Sequence, residues 1–207
     1  MVDSKSIEQE MGLTTNRIET LTDGVFAIAM TLLVLGLGLP QLQEGLTQSS
    51  LHLLLLSQLH KFFNYALSFV LLAVFWIIHH QEFHFIKRTD RVHIWINVFI
   101  LMFIALIPFS ASLIGDYPND WMAELFFGAN MFMVGILFQL NWFYATRLKR
   151  LVNCDIDPKK IVLGIKRGLV TPLVALLAMV LAFLDAPITT HIYLLIPIIL
   201  FLPPFRK

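Results

Sequence analysis

The chain has 207 residues, 57% of them hydrophobic and 14% charged, with a formal net charge of +1 and a mean hydropathy of +0.76. Soluble domains run nearer ~45–50% apolar and ~25% charged, so this composition excludes an ordinary water-soluble domain and points to a membrane protein. The near-zero net charge also argues against a nucleic-acid partner. At about 20 apolar residues per span, the length divides into six transmembrane helices with short loops. The expected fold is an all-α, polytopic membrane protein, with residues 1–16 as a cytosolic N-terminal segment and 17–207 as one membrane domain.

Residues 1–16 are polar and mixed in charge, unlike the basic start of a signal peptide, and no A-x-A-like cleavage site follows "LGLGLP". The first apolar stretch is therefore expected to be a retained helix. It is predicted to start at Asn16, which with Glu19 resembles a capping box, and to stop at Pro40. Residues 41–56 are predicted as an outer loop, with room for an interfacial turn in "SSLHLLLLSQLHKFF". Helix two is predicted over 58–80, followed by the basic loop "QEFHFIKRTDR". Helix three is predicted over 92–114, and "GDYPND" then supplies residues that bend chains. Helix four is predicted over 121–146, and the most basic loop, "RLKRLVNCDIDPKK", follows it. Its Cys154, the single cysteine, cannot form an internal disulfide and reads as an ordinary reduced thiol. Helix five is predicted over 162–184. Helix six, over 188–205, is short and interrupted by Pro197, Pro203 and Pro204, so neighbours must satisfy the freed carbonyls.

Basic residues set the orientation. With six spans and the N-terminus inside, all of the 15 Lys and Arg residues except Lys61 fall on the cytosolic side. Both termini are then expected in the cytosol. The outer loops carry acids instead: Glu44, Asp116, Asp120, Glu124 and Asp185. A mildly negative outer face can enrich cations there.

At about 100° per residue, Leu21, Gly24, Ile28, Thr31, Leu32 and Leu35 share one face of the first helix, and Asp23 points away from it. Two readings fit. Such a stripe serves lipid contact or helix packing in almost any apolar helix. Copies of it around a symmetry axis would instead make a pore wall, because rings of Ile or Leu can hold a pore shut by expelling water. Periodicity leaves both open.

Ionisable residues within spans are costly and are functional candidates. Arg17, Asp23, Trp76, His79, His80 and Asn97 fall at similar depth on the inner side, with Asn141 a further candidate. A carboxylate there can accept hydrogen bonds from His, Trp or Asn, and Arg17 can help to neutralise it. The group reads either as a structural clamp or as a clamp that also sets gating by fixing the first helix. His79, His80 and His84 with Glu82 lack the donor set of a transition-metal site, so no metal is assigned. His52, His60, His93 and His191 read as surface or packing residues. The chain contains no G-x-S-x-G, Walker loop or H-E-x-x-H, and no T-V-G-Y-G filter. No enzymatic activity and no cofactor are expected. The alternative to a channel is a proton-coupled transporter with Asp23, His79 and His80 as a relay, although no inverted repeat is evident. A membrane enzyme built on the His/Asp cluster would lack a nucleophile.

The stretch "RIETLTDGVFAIAMTLLVL" resembles the first helix of the transmembrane protein 175 family, whose signature is R-x-x-x-F-S-D. Arg17 and Asp23 match it; Leu21 replaces the phenylalanine and Thr22 the serine. The likeness continues through "NYALSFVLLAVFWIIHHQEFHFI", "DRVHIWINVFILMFIALIPFSASLIG" and "GANMFMVG", and is weaker over helices five and six. The resemblance implies a potassium-permeable cation channel whose one-repeat chain assembles as a homotetramer with helix one lining the axis. It implies that Ile28 makes the main constriction, that Leu32 and Leu35 form the next rings, and that Thr31 supplies a hydroxyl layer linked to potassium preference. The implied partners are K+ ions, the other copies of the chain in the homotetramer and membrane lipid, and the implied setting is a prokaryotic plasma membrane.

Overall fold

The computed structural model describes residues 15–38, 48–118, 120–153, 155–184 and 189–202. These residues fold into helices. α1 spans Thr15–Leu32 and continues as a 3-10 segment, Leu33–Leu37. α2 is Gln48–Ser57, α3 Leu59–Phe85, α4 Arg91–Asp116 and α5 Trp121–Thr146. α6 is Pro158–Phe183; a 3-10 segment, Thr190–Leu194, then leads into α7, Leu195–Phe201.

Local chemistry explains several boundaries. Each helix leaves its first N–H groups unpaired, and a side-chain acceptor can take them. Asp90 accepts the His93 amide at 2.9 Å at the start of α4. Asp120 accepts those of Met122 and Ala123 at 2.8 and 3.1 Å at the start of α5. Asp157 accepts the Lys159 amide at 2.9 Å, with Pro158 at the first helical position of α6, where no N–H is needed.

Among the described residues, five helices are long and apolar enough to cross a membrane: α1 with its 3-10 extension, α3, α4, α5 and α6. The expected sixth span is seen only as the 12-residue apolar stretch Thr190–Phe201, short of the ~20 residues that a span needs. Pro203 and Pro204 lie outside the described residues, as do Pro40, Cys154, Glu44 and Asp185.

α1 leans on α3 and α4; α4 packs on α5, α5 on α6, and α6 on the 3-10 segment and α7, which touches α3 in turn. Membrane helices gain little from expelling lipid, so close packing and small residues must hold them together. The long core runs through Phe26 and Leu33 of α1, Leu71 and Phe75 of α3, Ile100 and Ile104 of α4, and Met131 and Val134 of α5. A second cluster closes the end bearing the basic loops, built from Ile18, Phe83, Ile86, Trp142, Leu151, Val152 and Ile156. There the two loops are pinned together: the Leu151 carbonyl accepts the Lys87 and Arg88 amides at 2.9 and 3.3 Å.

Three sequence expectations need correction. Asn16 lies inside α1 rather than at its cap. Helix two runs five residues past His80, to Phe85, so half of the expected basic loop is helical. α6 starts at Pro158, four residues before the expected position.

Candidate pore face and inner polar network

The inward face of α1 is Ile18, Thr22, Phe26, Ala29 and Leu33, all buried. The opposite face carries Leu21, Gly24, Ile28, Thr31, Leu32 and Leu35, all exposed in the single chain. Ile28 is 60% exposed and Leu35 72%, while Phe26 on the packing face is 1% exposed. α1 is also the least enclosed of the five candidate spans: 22% of its apolar window is buried, against 44% for α3 and α4. The helix thus spends one face on its own chain and leaves a complete Ile/Leu face for something else. Thr31 sits on that face and donates its hydroxyl proton to the Ile28 carbonyl at 2.8 Å. Its oxygen lone pairs are left facing outward.

At the far end of α1, Leu32, Leu35 and Gly36 border an open cavity of about 350 Å³ together with Pro108, Phe109 and Ser112 of α4. Its polar rim is an ion pair between α3 and α4, Lys61 Nζ to Asp116 Oδ1 at 2.6 Å. The one basic residue expected on the outer side is therefore paired.

The polar residues expected to form one network divide into two groups. The first is at the exposed edge of α1: the Trp76 indole N–H donates to Asp23 Oδ1 at 2.8 Å, and His80 stacks on Trp76 with ring centroids 5.8 Å apart. Arg17 is exposed and has no hydrogen-bonding or ionic partner among the described residues, so the expected neutralisation of Asp23 by Arg17 is absent there. Thr22 of the motif is buried and its hydroxyl has no partner among the described residues.

The second group is interior and ties three helices into a loop. His79 Nε2 donates to Asn97 Oδ1 at 3.1 Å. Asn97 Nδ2 donates to the His93 carbonyl at 2.8 Å and to Asn141 Oδ1 at 3.0 Å. Asn141 Nδ2 donates to Glu82 Oε2 at 2.8 Å. The path leaves α3 at His79, crosses α4 and α5, and returns to α3 at Glu82. Every link is a side-chain amide, imidazole or carboxylate in good geometry, which is what buried polar groups require. Glu82 was missed as a member because helix two was ended at His80; one further helical turn puts it on the face of His79.

Of the other histidines, three serve packing. His93 is buried and bonds the Thr89 hydroxyl at 2.9 Å, His60 Nε2 meets the Gly115 carbonyl at 2.8 Å, and His191 stacks on Phe63 at 4.8 Å. His52 is exposed. Glu124, expected on an outer loop, is instead buried in the first turn of α5.

Outside the spans, Asp90 joins the cap of α4 to the basic loops. Its second oxygen accepts the Tyr144 hydroxyl at 2.8 Å and the Arg150 Nε–H at 3.1 Å. Burial pushes its carboxyl up, but the His93 amide, Tyr144 and Arg150 outweigh that and hold it below the usual carboxylate value.

A family model described as "Endosomal/lysosomal potassium channel TMEM175" matches residues 17–108. A potassium channel of Chamaesiphon minutus is 32% identical over 178 residues, covering 83% of this chain and 85% of that one. The crystal structure of a lysosomal potassium-selective channel TMEM175 homolog from Chamaesiphon minutus has a TM-score of 0.77 at 28% identity, covering 89% of this chain and 95% of that one. The endosomal/lysosomal proton channel TMEM175 of Danio rerio is 25% identical over 195 residues, 91% of this chain but 36% of that protein.

Proposed function

This chain belongs to the TMEM175 family, and from that premise we propose that it is a potassium channel, a passive conduit with no catalysed reaction. Four copies meet at an axis, each presenting α1. Ile28 forms the constriction, Leu32 and Leu35 form further dehydrating rings, and Thr31 oxygens partly replace the hydration of K+. The observation that carries this reading is the α1 face itself, exposed from Leu21 to Leu35 among the described residues. Thr31 supports it, since a hydroxyl whose proton is committed to the Ile28 carbonyl can offer only oxygen, as a cation requires. Selectivity should be modest, because a few hydroxyls replace less of an ion's hydration than rings of carbonyls.

Asp23, bonded to Trp76, and the closed His79–Asn97–Asn141–Glu82 path hold α1 and its scaffold rather than touch the ion. Both termini lie in the cytosol of a prokaryotic cell. The decisive experiment is ion flux from liposomes reconstituted with the purified protein. Potassium should leave down its gradient without a pH gradient, and faster than sodium.

A second reading is a proton-coupled pathway, since the Danio rerio relative is named a proton channel; the interior path argues against a relay through it, because Asn97 and Asn141 are neutral amides that neither release nor take up a proton. Flux that saturates and requires a pH gradient would favour that reading over passive potassium conduction.

A further inference from the structure

Arg167 sits nine residues into α6, about 13 Å along the axis from Pro158 at 1.5 Å per residue. It is half-buried, and burying a guanidinium is costly unless it is paired. Its hydrogen bond among the described residues runs from Nη1 to Gln81 Oε1 of α3 at 3.1 Å, and that partner is neutral. Its Nε is buried and has no partner among the described residues. Arg167 and Gln81 border a cavity of about 300 Å³, far above the ~10–15 Å³ that admits one water. The other walls are apolar, among them Ile77 and Ile78 of α3 and Leu200 and Phe201 of α7, and no carboxylate among the described residues lines it.

One cation with no acidic partner among the described residues, beside a long apolar wall between helices, fits one kind of occupant. Phosphodiester oxygens accept bonds from the planar N–H fork of an arginine, and acyl chains lie well along Ile, Leu and Phe. Basic pockets between membrane helices on the cytosolic side bind anionic head groups in this way. We infer that the cavity between α3, α6 and α7 binds one anionic phospholipid per chain. Arg167 holds its phosphate, Gln81 orients the guanidinium, and the acyl chains cover Leu200 and Phe201. The inference needs the helices to lie in a membrane and is independent of the pore.

Native mass spectrometry of the full-length protein tests it, with phosphatidylglycerol and phosphatidylcholine offered in equal amounts. Wild type should retain phosphatidylglycerol about fivefold over phosphatidylcholine, the factor expected from one cationic side chain at an anionic lipid surface. Arg167→Gln should abolish that preference, and Arg167→Lys should keep part of it. Equal retention of the two lipids by wild type overturns the site without recourse to any variant, so a misfolded Arg167→Gln cannot shelter it. An unchanged preference in Arg167→Gln overturns the role of the arginine. Full displacement of the lipid by inorganic phosphate would assign the site to a soluble anion and overturn the lipid. Ion flux is not the readout, so failure here leaves the potassium-channel reading standing.

Discussion

Asp23 is exposed yet bonded, and the Trp76 indole that reaches it ties α1 to α3. A hydrogen bond to a charged group contributes ~1.5–3 kcal/mol, and because α1 is the least enclosed span, that loss falls on its placement. Asp23→Ala should therefore lower the yield of assembled protein in size-exclusion chromatography while leaving unitary current near wild type. Normal yield with altered unitary current would show that Asp23 acts on the ion path instead. Asp90 makes a separate prediction. Removing its cap of α4 should cost about 1 kcal/mol, read as a lower thermal midpoint of Asp90→Ala at neutral pH. Its carboxyl pKa is depressed in the folded state, so its contribution is complete above the ordinary carboxylate value of about 3.9 and is lost as pH falls through the folded value. The gap between variant and wild type should narrow in acid. At this scale the sequence disclosed residue types at a common depth, so Asp23, Trp76, His79 and Asn97 were all found. It could not disclose that they divide into two groups, since partner choice depends on how α3 is rotated against α1 and α4. Nor did it reveal Glu82, which a longer helix two would have placed beside His79.

The α5–α6 seam is set by glycine. A Cβ on Gly135 would lie 2.6 Å from Pro172 Cδ and 2.8 Å from the Pro172 backbone nitrogen, neither of which can swing aside. Gly135→Ala should force the helices apart and cost about 1–3 kcal/mol, seen as a lower melting midpoint in detergent. Gly24 is the contrast: a Cβ there meets nothing within 4 Å in the single chain, and Ala is the better helix former by up to ~1 kcal/mol. Gly24→Ala should leave the fold of the single chain intact or slightly more stable, yet change assembly or current if, as proposed, copies of α1 converge on this face. An effect on melting alone, with assembly and current unchanged, would place that face against lipid. Element types were legible because the apolar runs are long; Asp157, which caps α6, was not read as a helix start. Ends were less so. Histidine and glutamate do not break helices, and α3 continues through both; the leucine-rich α2 was foreseen only as a turn. The last apolar stretch, expected to span, is described over only 12 residues.

For the whole molecule, the basic loops gather at one end, pinned by Leu151 and Asp90, and the uncovered face of α1 runs from that end toward the paired Lys61. Charge asymmetry and hydropathy made the membrane class plain from the sequence. The number of copies around the axis is a property between chains, to which periodicity within one helix is blind; that part rested on the family motif. The central claim is that Ile28 closes a water-filled path shared by several chains, and potassium flux from liposomes bearing Ile28→Asn tests it most directly. A polar side chain there favours water in the constriction, so flux should rise well above wild type with weakened preference over sodium. Flux and selectivity identical to wild type, in a variant that assembles normally, would contradict it.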